Sequence, residues 1–459
     1  MDSFPRSFNP NKHLKEEFVS NLPGSSMLAV SALLNNVALL MFLRYTFSSQ
    51  AVNDANRNLK SYLSVLAVDY MIIVLPTLFI FTVLADWLYE CTIGLVLLLL
   101  FSTVLKRAYC WPYTEGPHAV RASISSYRVV TMVVAFLCIL AVDFRIYPRE
   151  FAKTETYGTS LMDLGVGSFV LMNAVTSRQA RNISSSMSRW KAAFRSTTPL
   201  LLLGFARLVT TLSLDYQVHV GEYGVNWNFF FTLAGVSIAT SILNVPAKYS
   251  GVLGSVILVG MPSYLCRYQS WLTNGLNVYL LSNERGTDII SRNKEGIYSL
   301  FGYWGMYLIG VQVSYYLFFE NRPSKQRSKH ETRIRICLLS IVFWILTLLI
   351  DRHVERISRR MCNLAYVIWV VALNLQVIAM RFLTDNLFGS KVLALERAID
   401  RHLLASFLVA NLLTGLVNLS VDTIFVSSSS AILILVWYSW TLCVVMVLLD
   451  FSGVKYKFW

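Results

Sequence analysis

The sequence predicts an all-α fold, a polytopic integral membrane helix bundle of about 13 transmembrane helices that takes in residues 1–459 as a single membrane-embedded domain. Three observations predict it. Hydrophobic residues make up 55% of the chain and charged residues 14%, where soluble domains carry roughly 25% charged. Mean hydropathy is +0.53. Apolar stretches approaching the ~20 residues that a helix needs to cross a bilayer recur from end to end.

The first 26 residues, MDSFPRSFNPNKHLKEEFVSNLPGSS, are polar and precede any apolar run, so no cleavable leader is expected. The bundle is expected over residues 27–450. Its thirteen stretches lie near residues 27–43, 62–84, 91–106, 128–142, 160–176, 199–214, 226–244, 250–270, 298–319, 333–350, 363–383, 403–418 and 431–449. Residues 451–459 then form a short tail, expected in the cytosol. No internal repeat is visible, and no soluble domain longer than a loop.

An odd number of crossings puts the two termini on opposite faces. Basic residues decide which face is which, because cytosolic loops are enriched in Lys and Arg. The loops after odd-numbered segments, with the C-terminal tail, hold 24 basic residues, and the other face holds 13. The N-terminus is therefore expected in the lumen and the C-terminus in the cytosol. The arginines after segment 10 (Arg352, Arg356, Arg359, Arg360) argue locally the other way. The net charge of +14 is a topology signal of this kind, and nucleic acid is not an expected partner. The seven cysteines show no CxxC or metal-ligand spacing, so neither a disulfide framework nor a metal site is expected.

With that topology the unusual polar loops share the lumenal face. The stretch Asp143 to Gly167, DFRIYPREFAKTETYGTSLMDLGVG, concentrates Asp143, Arg145, Lys153 and Asp163 between two apolar segments. Loop 6–7 adds Asp215, His219, Glu222 and Tyr223, and loop 8–9 adds Glu284, Arg285, Lys294 and Glu295. His219 is a convenient proton acceptor with an ordinary pKa near ~6.5, although a lone loop histidine is more often a hydrogen-bonded structural residue. Lys153 is a solvated cation or, partly buried, an amine able to accept a proton. Asp143 marks a membrane boundary or pairs with a cationic substrate group. Asp69 and Arg207 fall inside apolar segments, where a charge costs at least ~2.5 kcal/mol and needs a polar cavity or an ion-pair partner. Mid-segment amides such as Asn374 and Gln376 read as glue between helices. P-loop, GxSxG, HExxH and dinucleotide-binding signatures are all missing from the sequence.

Several separated runs carry a resemblance over nearly the whole chain: LKEEFVSNLPGSS, the 143–167 stretch, DYQVHVGEYGVNWNFFFTL, NKEGIYSLFGYWGMYLIGVQ, RMCNLAYVIWV and ANLLTGLVNLS. In that order they resemble the glycosylphosphatidylinositol (GPI) inositol acyltransferases, and the fungal branch in particular. The resemblance implies an O-acyltransferase of GPI-anchor synthesis in the endoplasmic reticulum membrane. Its donor would be palmitoyl-coenzyme A, a co-substrate, with no cofactor, and its acceptor the inositol 2-hydroxyl of glucosaminyl-phosphatidylinositol. Membrane lipids surround it, and the sequence specifies no protein partner.

Read against that reaction, Asp143 is expected to recognise the glucosamine ammonium. Lys153 is expected to deprotonate the inositol hydroxyl or stabilise the thioester oxyanion, with His219 as the alternative base. Arg145, Asp163, Arg207, Asp215, Glu222 and Tyr223 are expected to contact substrate. Phe169, Phe205, Trp227 and Phe231 are expected to line the acyl tail, with Gly165, Gly167 and Gly204 leaving it room. A lipid transporter or scramblase, a non-catalytic subunit of a membrane complex, and a membrane-bound O-acyltransferase with a buried histidine are the competing readings.

Overall fold

The computed structural model describes residues 11–20, 22–47, 58–109, 119–183, 189–213, 220–269, 276–319, 329–388 and 392–453. Thirteen principal helices fall on the thirteen apolar stretches. They are α1 (Met27–Phe47), α2 (Leu59–Phe81), α3 (Leu88–Tyr109), α4 (Ala119–Ala141), α5 (Leu164–Thr176), α6 (Arg189–Ser213) and α7 (Phe229–Leu243). After them come α8 (Ala247–Gln269), α9 (Lys294–Ser314), α10 (Lys329–His353), α11 (Leu364–Phe388), α12 (Leu403–Ser420) and α13 (Ser428–Phe451). Among the described residues no β-strand forms; one isolated bridge joins Ser25 to Thr159.

Eight of these helices are long and apolar enough to cross a membrane by themselves, and the α7–α8 pair brings the number to nine if counted as one broken span. The expected count of thirteen crossings is therefore not reached on length and hydropathy. The reasons are local. Helix α5 is only 13 residues long. Helix α6 carries Arg189, Lys191, Arg195 and Arg207 along its length. Helices α7 and α8 meet at a 119° bend, made by a left-handed Asn244 just ahead of Pro246.

Burial sorts the helices into a centre and a rim. The apolar windows of α1 and α11 are each 83% buried, and those of α3 and α10 only 17%. Helices apolar on all sides suit a centre surrounded by other helices. Helix α11 packs against α1, α4, α5, α9 and α10. Amides lock these contacts: Gln376 of α11 bonds Ser31 and Asn35 of α1 at 2.8 and 2.7 Å and accepts from Trp344 of α10 at 2.7 Å. Asn374 donates to Ser168 of α5 at 3.0 Å.

Helix α2 widens into a π-turn over Tyr70–Val74 just before Pro76, which has no N–H to give the preceding turn. Near this end of α2, Asp69 finds its partner, Arg44 of α1, at 2.8 Å, and accepts from the Leu395 backbone N–H at 3.1 Å. Asp69 is thus a structural ion pair. Nearby, Glu396 accepts from Tyr45 and Ser126, both at 2.6 Å, and Asp450 accepts from Tyr62 and Arg401 at 2.5 and 2.7 Å. These bonds clamp the short amphipathic helix Ala394–Arg401 onto α1, α2, α4 and α13 at one end of the bundle. The expected site lies at the other end.

Candidate functional site

The loop leaving α4 is pinned by its own sequence. Phe144, Tyr147 and Phe151 are fully buried and anchor it to the core. Between them, Pro148 turns the chain and Arg149 folds it back. Its guanidinium donates to the carbonyls of Val142, Phe144 and Tyr147 at 2.8–3.0 Å and stacks 4.1 Å from the Phe18 ring. Burial brings the Arg149 pKa down to about 10. The polar N-terminal segment closes over the loop: Ser25 N–H donates to the Thr159 carbonyl, and the Thr159 hydroxyl to the Ser25 carbonyl, both at 2.7 Å. Gly24 makes this approach possible. Its φ is +76°, and a Cβ there would stand 2.5 Å from Thr154 Cγ2 and 2.6 Å from the Thr159 carbonyl oxygen.

The loop then presents a chain of alternating charges. Lys153 Nζ meets Glu222 Oε2 at 2.5 Å. Glu222 Oε1 lies 3.4 Å from Arg359, whose Nε reaches Asp163 Oδ1 at 2.8 Å. Asp163 also accepts from the Thr154 hydroxyl at 2.8 Å and from the Thr154 N–H. Three segments far apart in sequence meet here: loop 4–5 with the cap of α5, loop 6–7, and the turn before α11. Burial works against the charge of Arg359, yet Glu222 and Asp163 more than offset it and raise its pKa above the ordinary value. Two further bonds tie the α10–α11 turn to loop 4–5: Gly158 N–H to the Ile357 carbonyl at 2.9 Å, and Ser358 Oγ to the Thr156 carbonyl at 2.6 Å.

A second branch runs through loop 8–9. Arg285 pairs with both oxygens of buried Glu295 at 2.7 and 2.9 Å, and Arg360 joins Glu295 at 2.9 Å. Arg360 also lies 3.7 Å from Glu155, back on loop 4–5. Lys294, itself fully buried, donates to the carbonyls of Tyr279 and Glu284 and to Ser282 Oγ at 2.6–2.9 Å. These ion pairs and hydrogen bonds brace the loops against one another.

The expected residues therefore divide. Lys153, Asp163, Glu222 and Tyr223 come together around Arg359. Asp143 is buried at the end of α4, where Oδ2 accepts from Asn418 of α12 at 2.7 Å. Arg145 is exposed beside it, 5.9 Å from the Phe425 ring centroid. Asp215 and His219 lie outside the described residues. Arg207 is exposed on α6. Among the described residues no His, Cys, Asp or Glu cluster could hold a metal ion.

The GWT1 family model matches residues 11–449, almost the whole of this helical arrangement. The chain belongs to the GWT1 family. An uncharacterized protein of Arabidopsis thaliana is 54% identical over 406 residues, covering 88% of this chain and 90% of that one. The glucosaminyl-phosphatidylinositol-acyltransferase PIGW of Bos taurus is 32% identical, covering 98% of this chain and 99% of its own. The GPI-anchored wall transfer protein 1 of Aspergillus oryzae is 34% identical, covering 97% and 98%. The family expectation holds, but its fungal leaning does not, since the plant protein stands far above the fungal one.

In this GWT1-family chain the aromatic residues expected around an acyl tail form two patches flanking the start of α7. Phe169 of α5 packs edge-on against Phe229 and against Phe407 of α12, with centroids 5.7 and 5.5 Å apart. Phe205 of α6 and Trp227 both pack on Phe231, at 5.1 and 5.9 Å. Two of the three glycines expected to leave room are already filled against neighbours. A Cβ at Gly167 would stand 2.9 Å from Val370, and one at Gly204 would stand 2.6 Å from the Phe231 ring. They serve helix contact, and only Gly165 faces open space. Sequence reasoning missed Arg359 and Arg360 as site residues. Their signal was present as a local violation of the charge rule: both are almost fully buried in ion pairs, so they do not act as surface charges.

Proposed function

We propose that this chain is an O-acyltransferase that moves a fatty acyl chain, palmitoyl, from acyl-coenzyme A to the inositol 2-hydroxyl of glucosaminyl-phosphatidylinositol, a step of GPI-anchor synthesis. What carries the reading is the charge chain Lys153–Glu222–Arg359–Asp163, buried at its Arg359–Asp163 end and open at Lys153, on the segments whose sequence resembles the inositol acyltransferases. The relative in Bos taurus named for this reaction spans the same length. The inositol oxygen attacks the thioester carbonyl, the C–O bond forms, the C–S bond breaks, and the hydroxyl proton ends on the coenzyme A sulfur. An ammonium braced by a carboxylate is placed to donate, so Lys153 stabilises the thioester oxyanion. Asp143, presented by Asn418, takes the glucosamine ammonium through a charge-assisted hydrogen bond. His219 carries the proton, a role that rests on sequence alone. The acyl tail lies along the aromatic patches of α5, α6 and α7.

Purified protein with labelled palmitoyl-coenzyme A and glucosaminyl-phosphatidylinositol tests this. Acyl-inositol product is expected. Its absence, under conditions where the bovine relative makes it, would overturn the reading.

The site faces the lumen of the endoplasmic reticulum, with the N-terminus on that side and the C-terminus in the cytosol. The support is the 24-to-13 basic asymmetry, and Arg359 and Arg360, which weighed against it, are spent in ion pairs. Tyr157 is 41% exposed on loop 4–5 and suits a probe. In sealed microsomes and a cysteine-depleted background, Tyr157→Cys should react with an impermeant maleimide only after permeabilisation. Labelling of intact vesicles would reverse the orientation.

A further inference from the structure

Among the described residues the charge on Arg207 has no carboxylate counterpart. Asp69, inside its own apolar segment, has Arg44 at 2.8 Å. Arg207 is exposed on α6, and among the described residues no carboxylate lies within ion-pair distance of it. It stands six residues before Ser213, the last residue of α6, so at 1.5 Å per residue it sits roughly 9 Å inside the helix end. A charge at such depth persists where something outside the chain meets it, and the anion available there is a lipid phosphate.

Its direction is fixed by its neighbours. Gly204 lies one turn earlier on the same face. That face is turned to the start of α7: the Gly204 carbonyl accepts from Asn228 Nδ2 at 2.9 Å, and the Phe231 ring packs over Gly204. Arg207 thereby faces the segment that carries Glu222 and Tyr223. The Tyr223 hydroxyl is buried there with no hydrogen-bond partner among the described residues. A buried, unpaired hydroxyl is unfavourable unless a ligand completes it. Burial, with Glu222 and Tyr303, holds the Tyr223 hydroxyl well above its ordinary pKa, and the charges of Arg359 and, less strongly, Arg207 act the other way.

We propose that Arg207 and the Tyr223 hydroxyl form the phosphodiester subsite of the acceptor lipid, reached from the lipid-facing side of α6. The proposal rests on the acyltransferase reading above and deepens it. In a phosphatidylinositol the phosphate is on the ring carbon next to the one bearing the 2-hydroxyl. Holding the phosphate at Tyr223 therefore sets the reacting hydroxyl beside Glu222 and its partner Lys153. The exposed apolar flank of α6, with Phe205, Val209 and Leu212, is the side from which the diacylglycerol tails remain in the membrane.

Arg207→Gln and Tyr223→Phe test this in lipid nanodiscs. Arg207 is exposed and Tyr223→Phe removes one oxygen, so both variants keep the fold. Each should raise KM for glucosaminyl-phosphatidylinositol at least about tenfold, leave KM for palmitoyl-coenzyme A unchanged, and leave slow turnover of phosphate-free glucosaminyl-inositol unchanged. An unchanged acceptor KM, or equal losses on both acceptors, would overturn the subsite. A loss that follows the anionic content of the nanodisc rather than the acceptor concentration would mean bulk lipid is the partner, and would overturn it too. Retention of phosphatidylinositol in native mass spectrometry reads the subsite without turnover. Wild type should keep the lipid and Arg207→Gln should lose it, and equal retention would overturn the subsite. Failure of wild type to form product, with retention still lost in the variant, would instead fault the acyltransferase reading.

Discussion

Lys153→Ala is expected to lower acyl transfer about 10²–10³-fold, the size of effect that follows removal of one preorganised donor to an oxyanion. Lys153→Arg should keep activity within about tenfold, because arginine retains the charge and cannot serve as a base. Glu222 is what distinguishes the two roles. Its carboxylate holds the lysine ammonium at 2.5 Å and is itself held by Arg359, so the amine is fixed in direction before substrate arrives. Steady-state kinetics of purified variants check this, with kcat carrying the loss and KM for palmitoyl-coenzyme A nearly constant. If Lys153→Arg is as inactive as Lys153→Ala, the lysine is the base after all. If Lys153→Ala turns over normally and His219→Ala is dead, the histidine carries the chemistry.

The positions of the thirteen principal helices were legible in the sequence as apolar runs, although only eight of them are long and apolar enough to cross a membrane by themselves. Which of them form the centre was not. Helix α10 has the higher mean hydropathy, 2.3 against 1.7 for α1, yet α1 is buried and α10 lies at the rim, so apolarity alone does not rank them. The gathering of loops 4–5, 6–7 and 8–9 followed from parity of the segments: Lys153–Glu222 joins the first two, and Arg360 bridges Glu155 of loop 4–5 to Glu295 beside loop 8–9. Gly167 and Gly204 were misread for a similar reason to the arginines. A small residue shows that something comes close but not whether it is a substrate tail or, as at Gly167, the side chain of Val370. Asp69 could be narrowed to a cavity residue or an ion pair, and Arg44, one helix away, decides it.

Arg359→Ala is expected to destabilise the protein by about 3–5 kcal/mol, the cost of leaving buried carboxylates without their cation. Asp163 is wholly buried, and the side chain of Glu222 is 11% exposed. Truncation strands both, and the Thr154 bonds to Asp163 do not supply a charge. The same turn contains its own control. Arg356 is 77% exposed and 3.9 Å from Asp351, a surface pair of the kind that contributes at most about 1 kcal/mol. Thermal unfolding in detergent, followed by size-exclusion chromatography, should place Arg359→Ala far below wild type and Arg356→Ala close to it. Because Arg359 joins the α10–α11 turn to loops 4–5 and 6–7, its loss should also free Lys153 from its bracing. Residual folded Arg359→Ala should then be slow as well as unstable. Equal midpoints for the two alanine variants would show that the ion chain does not hold these loops together.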